Sequence, residues 1–298
     1  MRWGDMRRSE NVEDRSGMRP RGGGIGGGGM KLGLGGIILV LIASVLLGVN
    51  PFTLLGGMSG PEPAPQTAPP GYGPQVAPGA ATRPSDPAKD MVAHVLGDTE
   101  DVWNALFKAM GRQGYPKPNL VVFDGQVRSA CGFASAAVGP FYCPGDGKLY
   151  LDTAFFDQLS RKFGAPGDFA QAYVVAHEVG HHVQNVTGTM QQFDRLLQRA
   201  SPADRNALQV RLELQADCYA GVWGHFAARR KLLEPGDLEE GLRAAAAVGD
   251  DQIMRRTQGY VVPDAFTHGS AQQRTYWFKR GLETGDPRRC DTFTETRP

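Results

Sequence analysis

Residues Leu32–Val49 read LGLGGIILVLIASVLLGV, without one charged side chain, and this stretch limits what the rest of the chain can be. Eighteen apolar residues sit near the lower limit for a helix crossing a hydrocarbon core, and Pro51-Phe52-Thr53-Leu54-Leu55 extends the apolar reach. A helix of this length in a soluble core keeps polar residues on one face, and here there are none. The stretch therefore reads as a transmembrane helix over 32–50. A cleaved signal peptide fits less well, because the apolar run is longer than a usual signal core and a long tail precedes it. Arg19, Arg21 and Lys31 lie just before the run, and no basic residue follows until Arg83. Basic residues favour the cytoplasmic side. A single-pass protein of the cell membrane is expected, with a cytoplasmic N-terminus and the remainder periplasmic or extracellular.

Composition supports the same partition. The 40 glycines and 21 prolines are too many for a uniformly packed globule, and they are unevenly spread. Residues 1–31 are rich in Arg and Gly and show no hydrophobic periodicity, so they read as a disordered cytoplasmic tail. Residues 51–88 carry ten of the prolines and form an extended, semi-stiff spacer. Globular patterning begins at residue 89 and runs to 298, enough chain for one core. The net charge of +1 gives no reason to expect a nucleic-acid partner.

Within 89–298, apolar spacing predicts helices near 90–110, 153–164, 168–187, 201–229, 236–257 and 270–281. Ser201 before Pro202, and Ser270 with Gln273 three residues on, mark two helix starts. Asn119–Phe123 and Lys148–Asp152 read as short strands, with a Gly/Cys/Pro-rich loop from Cys131 to Gly147 between them. The fold class is α+β, mainly helical with a small sheet. Four cysteines, Cys131, Cys143, Cys218 and Cys290, in a domain placed outside the membrane point to two disulfides. Three pairings are possible. Proximity favours Cys131–Cys143 and Cys218–Cys290, while four buried thiols is the plainer alternative.

The chemistry concentrates in Ala172-Tyr-Val-Val-Ala-His177-Glu178-Val-Gly-His181-His182. A spacing of four puts the imidazoles of His177 and His181 on one helical face, within reach of one metal ion. Glu178, about 100° further round, can reach a water at that ion without ligating it, as a general base must. His182 is out of phase and faces solvent or a supporting partner. A catalytic zinc site takes a third protein ligand. Glu213 and Asp217 lie four apart on the 201–229 helix, so one can ligate while the other holds a histidine's remaining N–H. Spacing alone leaves open which does which, and a solvated acidic face is the plainer alternative.

H-E-x-x-H followed on a later helix by E-x-x-A-D resembles the gluzincin peptidases, notably the membrane-associated group with the inner-membrane heat-shock protease and the CAAX prenyl proteases. That resemblance implies a zincin-like metallopeptidase domain over 89–298, with Glu213 as third ligand and Asp217 in support. It also implies a late histidine with an arginine six residues on, orienting substrate or stabilising the oxyanion. His268 and Arg274 have that spacing, although Gly269 stands where that group often has Pro. More extensively, the chain is similar to the bacterial neutral zinc metallopeptidases. The shared features are an MRW start, the run R-S-x-N-V-E-D-R, an H-E-V-G-H-H-V-Q helix, Gly139-Pro-Phe-Tyr-Cys143-Pro and Leu214-Gln-Ala-Asp-Cys218.

Together these imply a zinc-dependent peptidase acting on a peptide or protein. Zn2+ would be held by His177, His181 and Glu213, with Glu178 as general base, His268 as oxyanion donor and Arg274 behind them. The strand Lys148–Asp152 is the expected edge for an extended substrate. Two rivals remain: a membrane-anchored zinc-binding interaction module without hydrolytic activity, whose structural site a fourth ligand would close, and a metal-free envelope scaffold.

Overall fold

The computed structural model describes residues 1–17 and 86–295. The expected span over 32–50 and the spacer over 51–88 fall almost wholly outside the described residues. Among the described residues no helix is long and apolar enough to cross a membrane. What is described is α+β: eight α-helices and two small sheets.

Strand β1 is Val12–Asp14 and helix α1 is Pro87–Ala109. β2 (Asn119–Val122), β3 (Gln126–Ser129), β4 (Gly132–Ser135), β5 (Phe141–Cys143) and β6 (Lys148–Leu151) follow. Helices α2 (Ala154–Arg161), α3 (Asp168–Thr187), α4 (Thr189–Leu197) and α5 (Pro202–Arg229) come next. The last three are α6 (Asp237–Ala247), α7 (Asp250–Gln258) and α8 (Ala271–Thr284).

The main sheet has the order β1-β2-β6-β5, with β1, β2 and β6 parallel and β5 antiparallel to β6. Alternation along its strands divides the core in two. Leu120, Val122, Leu149 and Leu151 join the large cluster containing Val174 and Val175 of α3. Val121 and Tyr150 face the other way and pack with Val127 and Ala134 of the β3–β4 hairpin. β6 is thus an inner strand, which corrects the expectation that Lys148–Asp152 forms the edge. The outer strands are β1 and β5, the latter three residues inside what sequence patterning reads as loop.

Residues 1–17 are folded into the same compact unit as 88–295, so the expected disordered tail does not hold over 1–17; residues 18–31 lie outside the described residues. Met1 and Met6 are in the core cluster, a burial that stabilises by about 2 kcal/mol each. The Met1 α-amino group lies 2.7 Å from Asp168 Oδ1, 3.1 Å from Glu234 Oε2 and 3.3 Å from Asp237 Oδ1. Glu100, fully buried on α1, accepts hydrogen bonds from Arg7, Ser9 and Asn11 at 2.6, 2.6 and 2.8 Å. Gly97 permits this approach, because a Cβ there would run into the Arg7 carbonyl. Polarity hid the arm in the sequence. Its order comes from charges that find partners about ninety residues away.

The predicted helix over 236–257 is two helices, α6 and α7, broken at Val248-Gly249. The Asp250 carboxylate is the reason. It accepts from the backbone N–H groups of Thr267, His268 and Gly269 at 2.7, 2.6 and 3.0 Å, so the turn is fixed by a loop distant in sequence. Cys131–Cys143 and Cys218–Cys290 are disulfides, as proximity favoured.

Candidate metal centre

Helix α3 starts after Gly167, with Asp168 in its first turn, and stops at Gly188, whose φ of 92° only glycine adopts freely. It carries His177, Glu178 and His181. Helix α5, capped by Ser201, carries Glu213 and Asp217. The two helices meet at Gly180, where a Cβ would lie 2.9 Å from the Ala216 carbonyl oxygen and 3.0 Å from its Cα. This close approach of backbones places His177 and His181, on either side of Gly180, against Glu213 and Asp217, on either side of Ala216.

The donor atoms converge. His177 Nε2 lies 3.2 Å and His181 Nε2 3.5 Å from Glu213 Oε2, and the three residues form a group able to hold a metal ion. Donors on a tetrahedron about 2.0–2.1 Å from a zinc ion are separated by about 3.3 Å, so the set fits zinc in chemistry and in spacing.

The opposite ring nitrogens are committed elsewhere, which fixes both rings. His177 Nδ1 donates to Asp217 Oδ1 at 2.8 Å, and His181 Nδ1 donates to Gln184 Oε1 at 2.9 Å. Each Nε2 is left facing Glu213, the arrangement a metal-binding histidine requires. Asp217 is fully buried and held from three sides. Arg274 Nε donates to Oδ2 at 2.8 Å, Arg274 Nη2 to Oδ1 at 2.9 Å and Tyr173 Oη to Oδ1 at 2.6 Å. Gln184 Nε2 donates to the Leu212 carbonyl at 2.7 Å, tying His181 back to the helix that carries Glu213.

Charge in the site follows from these contacts. Burial lowers the pKa of the His177 imidazole, but the Asp217 charge and hydrogen bond, with that of Glu213, outweigh it and bring it to about 10. Burial raises the Glu213 carboxyl, and the His181 charge with hydrogen bonds from both histidines takes it well below the usual range. Burial likewise works against Asp217, and Arg274 and His177 bring it down.

Glu178 is half-buried, with no hydrogen bond or ion pair to another described residue. Burial raises its pKa against the opposing pull of His177 and His181. It borders a small apolar pocket with Pro140, Tyr150, Leu151, Val174 and Val175. His268 is half exposed, its Nδ1 3.2 Å from Asp250 Oδ1, and its charge acts on Glu213. Arg274 is buried, and its guanidinium donates to Asp217, Tyr173 Oη and the Val248 carbonyl.

His182 does not face solvent. Its Nε2 donates to the Pro116 carbonyl at 2.6 Å, and Tyr142 Oη, itself receiving Asn185 Nδ2 at 2.8 Å, donates to Nδ1 at 3.1 Å. It thereby pins β5 to α3. Sequence reasoning passed over Tyr173, Gln184 and Asp250. The first two had a signal, lying four residues before His177 and three after His181 on the same face. Asp250 had none. Asp168, Asp237 and Glu240 form a second acidic group, but the Met1 α-amino group already pairs with two of them.

The largely buried His177, His181 and Glu213, backed by Asp217, Gln184 and Arg274, form a candidate metal site. The chain belongs to the family described as "Putative neutral zinc metallopeptidase", whose sequence profile matches residues 1–293, and the family's name implies zinc. It is 47% identical over 301 residues to the uncharacterized protein YpfJ of Escherichia coli K12, covering 98% of this chain and 99% of YpfJ. It is 48% identical over 204 residues to the uncharacterized proteins Mb2605 of Mycobacterium bovis and Rv2575 of Mycobacterium tuberculosis, covering 65% of this chain and 66% of each. No solved structure matches the chain.

Proposed function

We propose that this protein is a zinc-dependent peptidase in which Glu178 is the general base. The observation that carries the reading is the convergence of His177 Nε2, His181 Nε2 and Glu213 Oε2 near Glu178, whose carboxylate has no hydrogen bond or ion pair to another described residue. A zinc ion held there would supply Lewis-acid polarisation of a peptide carbonyl and lower the pKa of a water.

The remaining work falls to side chains. Glu178 takes the proton from the attacking water and returns it to the leaving amine; its raised pKa suits both steps. Asp217, clamped by Arg274 and Tyr173, keeps His177 in the tautomer with Nε2 free, and Gln184 does the same for His181. His268, half exposed and braced by Asp250, donates to the oxygen on which negative charge develops.

An extended substrate pairs with β5, the outer strand next to β6. Beyond β5 lies a groove of about 350 Å3 lined by Pro144, Gly145, Asn185, Met190, Phe193 and Leu212. Leu212 precedes Glu213, and Asn185 lies one turn beyond His181, so the groove receives a side chain close to the scissile bond.

Cleavage of casein by the zinc-loaded protein, wild type against Glu178→Gln, tests the proposal. The expected result is hydrolysis by wild type and a loss of at least about 100-fold in the variant, with metal content unchanged. Equal cleavage by both would remove Glu178 from the mechanism. Metal binding without cleavage of any peptide would favour the zinc-binding interaction module.

A further inference from the structure

The segment Met1–Gly17 is built into the unit that carries the metal centre, at points that cannot be left empty. β1 adds to the sheet in parallel register, Val12 opposite Leu120 and Asp14 opposite Val122. Backbone bonds continue on either side, from Leu120 N–H to the Asn11 carbonyl and from Arg15 N–H to the Val122 carbonyl, both 2.8 Å. Ser9 N–H donates to the Ala93 carbonyl at 2.9 Å, and His94 Nδ1 donates to the Met6 carbonyl at 2.7 Å. Glu100, fully buried, takes three of its hydrogen bonds from the arm. Lys117, half exposed and 3.3 Å away, is its remaining ion-pair partner. Without the arm, a buried carboxylate and the outer edge of β2 would lose most of their partners, which folded proteins avoid.

We infer that Met1–Gly17 and residues 88–295 of one molecule lie on the same side of the membrane, so that the chain leaving the folded unit after Gly17 returns to it without a net crossing. This inference does not depend on the peptidase reading. It bears on the span expected over 32–50, which by positive-inside reasoning puts the arm in the cytoplasm and the metal centre outside. Both placements cannot hold in a molecule that is packed as described. Two helical crossings need about 20 residues each, more than the uncharged run Leu32–Val49 supplies. The disulfides Cys131–Cys143 and Cys218–Cys290 favour an oxidising compartment for both segments.

Cysteine labelling of the full-length chain in bacterial spheroplasts tests this. The four native cysteines are paired, so a single added thiol reports alone. Glu10→Cys marks the arm and Gln192→Cys marks α4, both at exposed positions. A membrane-impermeant maleimide is applied before and after lysis. Labelling of both variants before lysis, equal within about twofold, is the expected result. Labelling of Gln192→Cys before lysis and of Glu10→Cys only after it would overturn the inference. Labelling of both only after lysis would uphold the shared side while making it the cytoplasm.

Discussion

Asp217 organises the centre without belonging to the ligand set. It accepts from His177, Tyr173 and Arg274 at once, so its charge sets both the tautomer of His177 and the position of that ring. Asp217→Asn keeps the shape but removes the charge, and an amide nitrogen facing Arg274 is repelled. Zinc affinity measured by chelator competition should fall by about 10–100-fold, the usual effect of losing such a partner. Unchanged affinity would mean that packing alone holds His177. His182 makes a second prediction. Its burial lowers its pKa below the ordinary 6.5, against the opposing Pro116 contact. The unfolded chain therefore takes up this proton at a higher pH than the folded one. The stability His182 contributes is complete above pH 6.5 and is lost as pH falls through the lower folded value. Melting temperature should drop on that side, and His182→Gln should flatten the slope. At this scale the sequence was informative where chemistry has a fixed spacing: H-E-x-x-H and E-x-x-A-D lie where their periodicity put them. Asp250 was illegible, because its role depends on a loop seventeen residues on.

Among the elements, the contact between α3 and α5 governs the site. Gly180 is the point of closest approach, and Gly180→Ala would force its Cβ against the Ala216 backbone at 2.9–3.0 Å. The helices would part by a few tenths of an ångström, at a cost of about 1–3 kcal/mol. Thermal unfolding and zinc affinity should both decline, whereas a substitution harmful only to packing would lower the first alone. The bounds of α3 follow from the sequence because Gly167 and Gly188 frame a strongly periodic run. β1 and β5 could not be read, since three residues carry almost no alternation and both strands owe their existence to the neighbour they pair with. The break between α6 and α7 had a signal that the apolar pattern over 236–257 obscured: Gly249, a poor helix former, followed by Asp250 and Asp251 in the first turn of α7, with the Asp250 carboxylate then fixing the turn.

For the molecule as a whole, two distant closures hold the centre in place: the N-terminal arm and the Cys218–Cys290 disulfide. The disulfide closes a loop of 72 residues from the position next to Asp217 to the C-terminal turn Pro287–Cys290. Replacing both cysteines by Ala should cost up to about 4 kcal/mol by chain entropy. Denaturant titration would show this as a lower midpoint and a steeper slope, because the unfolded chain is no longer held together; an unchanged midpoint would make the bond dispensable. The two closures differ in how they announce themselves. A cysteine pair is visible in composition, whereas the arm looks like any polar tail until Glu100 and Gly97 are seen to receive it. The central claim concerns the three donors that meet between α3 and α5, and zinc stoichiometry in the purified chain tests it most directly. One zinc per chain is predicted in wild type and in Glu178→Gln, with most of it lost in Glu213→Ala. A wild type that binds none, or a Glu213→Ala variant that keeps its full share, would contradict the account.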